Sequence, residues 1–124
     1  MKKRREIVVK VNSLNHMAVL QIDGEITIKN IEQFRSVMEA FISKEAKGYI
    51  LDLSNVSYVN SSALGQIADG VMKLKKVHKE LVIAGIQPNI AEIFEIVKFE
   101  SFIKLFANVD NAMQYFEQHK IDKD

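Results

Sequence analysis

The sequence contains no cysteine, which excludes disulfide bonds, thiolate metal sites and cysteine nucleophiles. Its five glycines are isolated from one another, so the glycine-rich loops that hold phosphates are missing and nucleotide binding has no motif support. No apolar run approaches the roughly 20 residues that a membrane-spanning helix needs, and no signal peptide follows the basic start. We therefore expect a cytoplasmic protein that makes no membrane contact.

An excess of charge of either sign is also missing. The sequence holds 17 basic and 16 acidic residues, which leaves a formal net charge of +1. No overall field therefore favours nucleic acid or an anionic membrane, and we expect no direct nucleic acid partner. The basic run Lys2-Lys3-Arg4-Arg5 is interpreted as part of a flexible start over residues 1–6, and a second flexible end is predicted over residues 119–124.

The histidines are few and widely scattered. His16, His78 and His119 have no carboxylate or second histidine at ligand spacing. A metal site needs several ligands that converge, so no metal is predicted. The Gly-x-Ser-x-Gly pattern that surrounds many hydrolase serines is absent as well. We therefore expect no cofactor and no catalytic residue.

The sequence does contain enough apolar material for a core. Hydrophobic residues make up 48% of its 124 residues. A chain near this length buries roughly two-thirds of its unfolded surface on folding, which is sufficient without disulfides or metals. We find no internal repeat and no linker long enough to divide the chain. A single domain over residues 1–124 is predicted.

The first part of the chain predicts a hairpin followed by a helix. Residues 7–11 and 17–22 are typical of strands, and the polar residues 12–15 between them predict the turn. Asp23-Gly24-Glu25 is expected to break the chain, after which Asn30 caps a helix. The predicted apolar face of this helix consists of Ile31, Phe34, Val37, Met38, Phe41 and Ile42.

The rest of the chain alternates strands and helices. A strand over residues 49–53 precedes a helix over 62–78 and an all-apolar strand over 81–84. Asn89 is predicted to cap a third helix, and residues 102–105 a last short strand. The final helix carries Val109, Ala112, Met113 and Phe116 on one side. This order predicts an α/β fold with a mixed sheet of about four to five strands and about four helices packed over it.

Two serines stand where the second helix begins. The stretch Tyr58-Val59-Asn60-Ser61-Ser62-Ala63-Leu64-Gly65 lies between a strand pattern and a helix pattern. The first turn of a helix has unpaired N–H groups and a partial positive charge, which favour an oxygen atom or a phosphate there. From these residues alone two interpretations stay open: Asn60 or Ser61 only caps the helix, or the serines have a functional role.

Three segments resemble the STAS domain family, and most closely its stand-alone bacterial members, the anti-sigma factor antagonists. Gly24-Glu25-Ile26-Thr27 is similar to the family's Gly-Glu-Leu-Asp segment at the end of an early strand. Residues 51–59 resemble its central strand and the turn after it. Asn60-Ser61-Ser62-Ala63-Leu64-Gly65 resembles its Asp-Ser-Ser-Gly-Leu-Gly phosphorylation motif. The similarity covers nearly the whole chain, from about Ile7 to Phe116.

This resemblance implies a regulatory protein that works by partner switching. In the family, the serine directly after the Asp is phosphorylated by an anti-sigma factor that is a serine kinase, and this position is Ser61. The unphosphorylated antagonist binds the kinase and frees a sigma factor, the phosphorylated form is released, and a Ser/Thr phosphatase resets it. The implied partner-binding residues are Gly24, Glu25, Thr27, Asn60, Ser61, Ser62, Ala63 and Leu64.

Three positions depart from the family pattern. Asn60 and Thr27 each replace an Asp, and Ala63 replaces a Gly. Asparagine still caps a helix, so we expect the local geometry to survive. Compared with the family pattern, the surroundings of Ser61 nevertheless lack two carboxylates. In the family pattern one of them lies directly beside the serine, where a kinase would recognise its substrate.

Two alternatives to the switch therefore stay open. One is a non-phosphorylated STAS scaffold or interaction module within a larger complex. The other is a small serine hydrolase that uses Ser61 as its nucleophile, which requires a histidine near Ser61 in space. For the oligomeric state, a monomer or a weak dimer is predicted.

Overall fold

The computed structural model describes the backbone of residues 7–123 and the side chains of residues 7–118. The strands are Val8–Leu14 (β1), Met17–Ile26 (β2), Gly48–Val59 (β3), Leu81–Ala84 (β4) and Leu105–Phe106 (β5). The α-helices are Ile31–Ile42 (α1), Ser61–Lys76 (α2), Pro88–Ile96 (α3) and Val109–Lys123 (α4). The predicted α/β fold with a mixed sheet is confirmed. The predicted flexible start lies outside the described residues, whereas most of the predicted flexible end falls on the last turns of α4.

The five strands lie side by side in the order of the sequence. β1 is antiparallel to β2, and β2 to β5 run parallel to one another. Each parallel strand is added to the sheet on the same side as the one before, and right-handed crossovers join them. The connecting helices therefore all lie on one face of the sheet. The main core accordingly joins this face to α1, α2 and α3, whereas a smaller core joins the opposite face to α4.

The apolar faces predicted for the first and last helices are confirmed. In α1, Phe34, Met38 and Phe41 are buried, and the other three predicted residues are partly buried against the same core. In α4, Met113 and Phe116 are buried in the smaller core. Hydrophobic spacing at a period of 3.6 residues was sufficient to predict the buried faces of these helices, because each helix buries a single continuous face.

The hairpin is confirmed, but the predicted turn over residues 12–15 is wrong. Asn12 and Ser13 still pair with Val19 and Ala18, and the turn consists of Asn15 and His16 alone. Both turn residues have positive φ angles, of 49° and 70°. A two-residue turn with this left-handed geometry matches the twist of the flanking strands, so the polar residues before it continue the ladder.

The predicted break at Asp23-Gly24-Glu25 is also wrong, because β2 continues to Ile26. Its pairing with β3 shifts register twice, between Gln21 and Asp23 and between Gly24 and Glu25. Gly24 has a φ of 120°, which a residue with a side chain rarely adopts. These irregularities keep polar residues within the ladder. They also let β3 run on to Val59, where the sequence predicted a strand that ends at residue 53 and a turn.

The third helix and the last strand begin at other residues than predicted. Gln87 stands at the cap position of α3, and Pro88 is the first helical residue. Asn89 therefore lies inside the helix, and its side-chain amide donates to the Ser57 carbonyl instead of capping the helix. The predicted strand over residues 102–105 is shifted to Leu105–Phe106, because residues 99–101 form a 3-10 turn against which the ring of Phe102 packs.

Two side-chain amides cover the edge of β3 beyond the end of β4. The last β3–β4 pair is Asp52 with Ala84, so the later residues of β3 have no strand on that side in the described part of the chain. Gln87 Nε2 donates to the Ser54 carbonyl at 3.1 Å, and Asn89 Nδ2 donates to the Ser57 carbonyl at 2.9 Å. The start of α3 thus holds the segment of β3 that leads to the serine pair.

Candidate functional site

The serine pair opens α2, and Asn60 caps this helix. Asn60 has an extended backbone, and its Oδ1 accepts a hydrogen bond from the Ala63 N–H at 2.8 Å. This bond satisfies one of the unpaired N–H groups at the helix start and confirms the predicted role of Asn60 as a cap. The N–H groups of Ser61 and Ser62, in the first turn, stay directed at the end of the helix.

The two serines are exposed, whereas the next two residues are buried. The hydroxyls of Ser61 and Ser62 have no hydrogen-bond partner among the side chains and backbone described for residues 7–118. Ala63 is 0% exposed and Leu64 is 9% exposed, and both belong to the main core. Both residues are among the predicted partner-binding residues. Their side chains lie in the main core beneath the serine backbone, and their part in partner binding stays a prediction.

The Gly24–Thr27 segment lies beside the serine pair. The Asn60 N–H donates to the Ile26 carbonyl at 3.1 Å. In the parallel ladder, Glu25 is the register partner of Tyr58, and Ile26 is that of Val59. Glu25 is exposed and Thr27 is partly exposed, so the end of β2 and the start of α2 form one continuous surface. The sequence motifs named separately above thus come together at the same end of the sheet.

Asn30 holds the loop between β2 and α1. It is the one polar side chain that is buried in the described part of the chain. Its Oδ1 accepts from the Thr27 N–H at 2.9 Å, and its Nδ2 donates to the Glu25 carbonyl at 2.8 Å. The residue stands at the predicted cap position of α1, but its side chain makes no cap hydrogen bond. The prediction of a side-chain cap is therefore wrong, because the amide is used to close the loop.

Two exposed apolar side chains flank the site, and sequence reasoning missed both. Ile28 is 81% exposed in the turn that the Asn30 N–H closes onto the Thr27 carbonyl at 3.1 Å. Tyr58 is 45% exposed and lies beside Glu25 in the ladder. Ile28 belongs to no helical or strand pattern in the sequence, and this was the signal that could have identified it as an exposed apolar residue. Apolar side chains at such a place are typical of a surface that packs against a partner.

The electrostatics of the site favour an anion at the start of α2. The first turn carries no acidic side chain, and its cap is the neutral Asn60. The partial positive charge of the helix start is therefore not offset within its own turn. A phosphate on Ser61 would stand at the N–H groups of this turn without meeting a carboxylate from the same helix.

The described residues do not support the hydrolase interpretation. His16 lies in the hairpin turn beside the start of β2, and His78 follows the far end of α2. A helix of 16 residues is about 24 Å long, so His78 is far from Ser61. The His119 side chain lies outside the described residues. Within the described part of the chain, no group of three or more His, Asp or Glu side chains could hold a metal ion either.

No helix among the described residues has the length and hydrophobicity needed to cross a lipid bilayer. This result agrees with the absence of a long apolar run in the sequence.

Comparisons with known proteins identify the family. The sequence profile of the STAS domain matches residues 7–112. A curated relative, the anti-sigma-B factor antagonist of Listeria monocytogenes, is 27% identical over 107 residues, which cover 86% of this chain and 92% of the relative. Its counterpart from Staphylococcus aureus is 27% identical over 77 residues, which cover 62% of this chain and 71% of the relative.

Solved structures show the same fold. An anti-sigma factor antagonist from Mycobacterium paratuberculosis superposes with a TM-score of 0.83 at 19% identity, covering 90% of this chain and 94% of that one. The anti-sigma factor antagonist SpoIIAA in its unphosphorylated form gives a TM-score of 0.75 at 16% identity, covering 90% and 97%. Since the family profile spans residues 7–112, which is most of the sequence, the chain belongs to the STAS domain family.

Proposed function

We propose that this protein is an anti-sigma factor antagonist that binds an anti-sigma serine kinase and is released when Ser61 is phosphorylated. The observation that carries the proposal is an exposed Ser61 directly after the capping Asn60, at the start of a helix whose third and fourth residues, Ala63 and Leu64, are buried. The names of the curated relatives support the regulatory role. That SpoIIAA has been solved in both unphosphorylated and phosphorylated forms supports the switch.

The partner-binding surface in this proposal has a polar centre and an apolar border. Ser61 and Ser62 supply neutral hydroxyls at the centre, and Glu25 and Thr27 lie on the neighbouring loop. Ile28 and Tyr58 supply apolar area at the border. Such a border excludes water from the polar centre when a partner is bound, which makes the complex sensitive to any new charge at that centre.

Phosphorylation would then act as an electrostatic switch without refolding. A phosphate adds about −1.5 to −2 charges at the Ser61 hydroxyl. In the free protein the start of α2 stabilises this charge by about 0.3–1 kcal/mol. In the complex the same charge must lose its water, which costs several kcal/mol when no counter-charge faces it. The phosphorylated form is therefore released, and a Ser/Thr phosphatase restores binding.

A non-phosphorylated STAS scaffold is the second candidate, and a specific observation favours it. The family's two acidic residues near the phosphoserine are Asn60 and Thr27 here. If the kinase orients its substrate through those carboxylates, this chain would bind a partner without being modified. In both candidates the protein is regulatory rather than catalytic, and we place it in the cytoplasm with its partners.

The decisive experiment combines the purified protein with an anti-sigma serine kinase from the same organism, in the presence of ATP. Intact mass and peptide mapping would locate any phosphate, and Ser61→Ala and Ser62→Ala variants would serve as matched controls. One phosphate that is lost only in Ser61→Ala supports the switch. A stable complex without phosphate would instead support the scaffold, and phosphate on Ser62 would move the switch to the neighbouring residue.

A further inference from the structure

The two serines at the start of α2 lie on different sides of the helix. Successive residues of an α-helix are rotated by about 100° around its axis, so Ser61 and Ser62 leave the axis in different directions. Residues four apart lie one above the other on the same side. Gly65 therefore lies one turn below Ser61, and Gln66 lies one turn below Ser62. The surroundings of the two hydroxyls differ accordingly.

The side of the helix that carries Ser62 faces α1. Gly70, one turn after Gln66, lies so close to α1 that an added Cβ would be 3.2 Å from Cε of Met38. Gln66 contacts α1 as well, since its side-chain oxygen accepts hydrogen bonds from Nη1 and Nη2 of Arg35 at 2.9 and 3.2 Å. The guanidinium of Arg35 therefore lies about one helical turn from Ser62.

The contacts of Arg35 leave its charge available to a stronger anion. Its Nε donates to Oε1 of Glu32 at 3.2 Å, and this pair is exposed, with 46% of the Arg35 side chain and 79% of the Glu32 side chain accessible. Exposed ion pairs of this kind contribute only about 0–1 kcal/mol. The other partner, Gln66, is neutral. A doubly charged group placed nearby would compete well for the same guanidinium.

The side of the helix that carries Ser61 offers no such cation. The residue four positions after Ser61 is Gly65, which has no side chain and has nothing within 4 Å of an added Cβ. The residue three positions after it, Leu64, is apolar and belongs to the main core. The basic side chains of α2 all lie in its last turn. A charge on Ser61 is therefore offset by the start of the helix alone within α2.

We infer that Arg35 determines which of the two serines can act as the switch: it neutralises a negative charge on Ser62 and leaves a charge on Ser61 uncompensated. A phosphate adds about −1.5 to −2 charges at either hydroxyl. On Ser62, two parallel hydrogen bonds from the guanidinium offset much of this charge. On Ser61, the whole charge stays at the centre of the partner-binding surface. The effect on partner release rests on the proposed function, whereas the contact with Arg35 is a property of the free protein.

An NMR titration of the free protein tests this contact. Ser62→Asp and Ser61→Asp each place a carboxyl at one of the two positions, and Arg35→Gln is then added to each variant. We expect the titration midpoint of the carboxyl introduced by Ser62→Asp to rise by roughly half a pH unit when Arg35 is lost, which is the size expected for an exposed ion pair. The midpoint of the carboxyl introduced by Ser61→Asp should not change.

Two further variants separate a specific contact from a general effect of charge. Lys44→Gln removes a positive charge from an exposed residue beyond the end of α1 and is the matched control. Glu32→Gln frees Arg35 from its present partner, so it should lower the midpoint for Ser62→Asp. The inference is overturned if Arg35→Gln leaves that midpoint unchanged, or if Lys44→Gln raises it equally. An equal rise for Ser61→Asp would overturn it too, because Arg35 would then not distinguish the two serines.

Calorimetry with the anti-sigma kinase tests the consequence for binding, with each affinity compared to that of the parent chain with or without Arg35→Gln. Ser62→Asp should weaken the complex by less than about threefold when Arg35 is present and by roughly tenfold when it is replaced. Ser61→Asp should weaken it by roughly tenfold in both backgrounds. Equal losses for the two serines in the presence of Arg35 would contradict the inference. If the wild-type chain does not bind the kinase, the proposed function fails, and the titration alone decides the role of Arg35.

Discussion

The backbone N–H of Asn60 donates a hydrogen bond to the carbonyl oxygen of Ile26 at 3.1 Å, which ties the start of α2 to the end of β2. On the other side, the Asn30 amide bonds both Glu25 and Thr27 and fixes the loop that follows β2. These hydrogen bonds connect the serine pair to the neighbouring loop and hold the two in one arrangement. A partner of this protein would meet a preformed surface, so charge at Ser61 rather than loop movement would decide binding.

Ser61→Asp should weaken binding to the anti-sigma kinase and leave the fold intact. The new carboxylate must be desolvated within the interface, so we expect a loss of affinity of roughly tenfold or more. The free energy of unfolding should change by less than about 0.5 kcal/mol, because the residue is exposed. Isothermal titration calorimetry would measure the affinity. Ser36→Asp on the exposed side of α1 is the control, and equal affinity of wild type and Ser61→Asp would contradict the switch.

Asn60→Asp should speed phosphorylation of Ser61. The substitution restores the acidic residue of the family pattern beside the serine, and Asp caps a helix as well as Asn does. The rate would be followed by intact mass with the same kinase and ATP. Asn60→Ser keeps a cap without the charge and is the matched control. An unchanged rate in Asn60→Asp would show that this carboxylate has no part in recognition here.

Asn30→Ala should destabilise the protein by about 1–3 kcal/mol, because it leaves the Thr27 N–H and the Glu25 carbonyl without their partner. Urea unfolding would measure the change. Asn55→Ala is a useful comparison, since Asn55 is exposed and its amide makes one hydrogen bond, to Asp23. We expect that variant to lose less than about 1 kcal/mol. Equal losses in the two variants would contradict the special role of Asn30.

Two glycine substitutions should change stability in opposite directions. A Cβ added to Gly48 would lie 2.5 Å from Cε1 of Phe116, so Gly48→Ala should push α4 off the sheet at a cost of about 1–3 kcal/mol. Gly65 lies inside α2 and has nothing within 4 Å of an added Cβ. Gly65→Ala should therefore stabilise the protein by about 0.5–1 kcal/mol. Urea midpoints measured side by side would test the pair, and a shared sign would refute the packing argument.

Features that depend on a short stretch of sequence were predictable. The apolar faces of α1 and α4 follow from helical spacing, and the all-apolar β4 is buried as predicted because both of its faces are covered. The cap by Asn60 was predictable for the same reason, since its acceptor and the donor on Ala63 are only three residues apart. In each case one local interaction decides the structure.

Features that depend on a distant partner were not predictable. β2 continues through Asp23-Gly24-Glu25 because it pairs with β3 in a shifted register. No residue close in sequence indicates this pairing. The Asn30 side chain bonds loop atoms rather than its own helix, although both choices suit an asparagine. The exposure of Ile28 and Tyr58 depends on where the loop and the ladder end in space. The polar part of the site was therefore readable from sequence, and its apolar border was not.

The amides of Gln87 and Asn89, which bond the carbonyls of Ser54 and Ser57, have a consequence for colloidal behaviour. They stand in for a missing neighbour strand, so the end of β3 is closed to strands from other molecules. Replacing both with Ala would uncover two backbone acceptors in a row of extended residues, which is the kind of segment that seeds β-aggregation. We expect such a double variant to scatter light sooner than wild type on warming, so these two amides would contribute to solubility as well as to the fold.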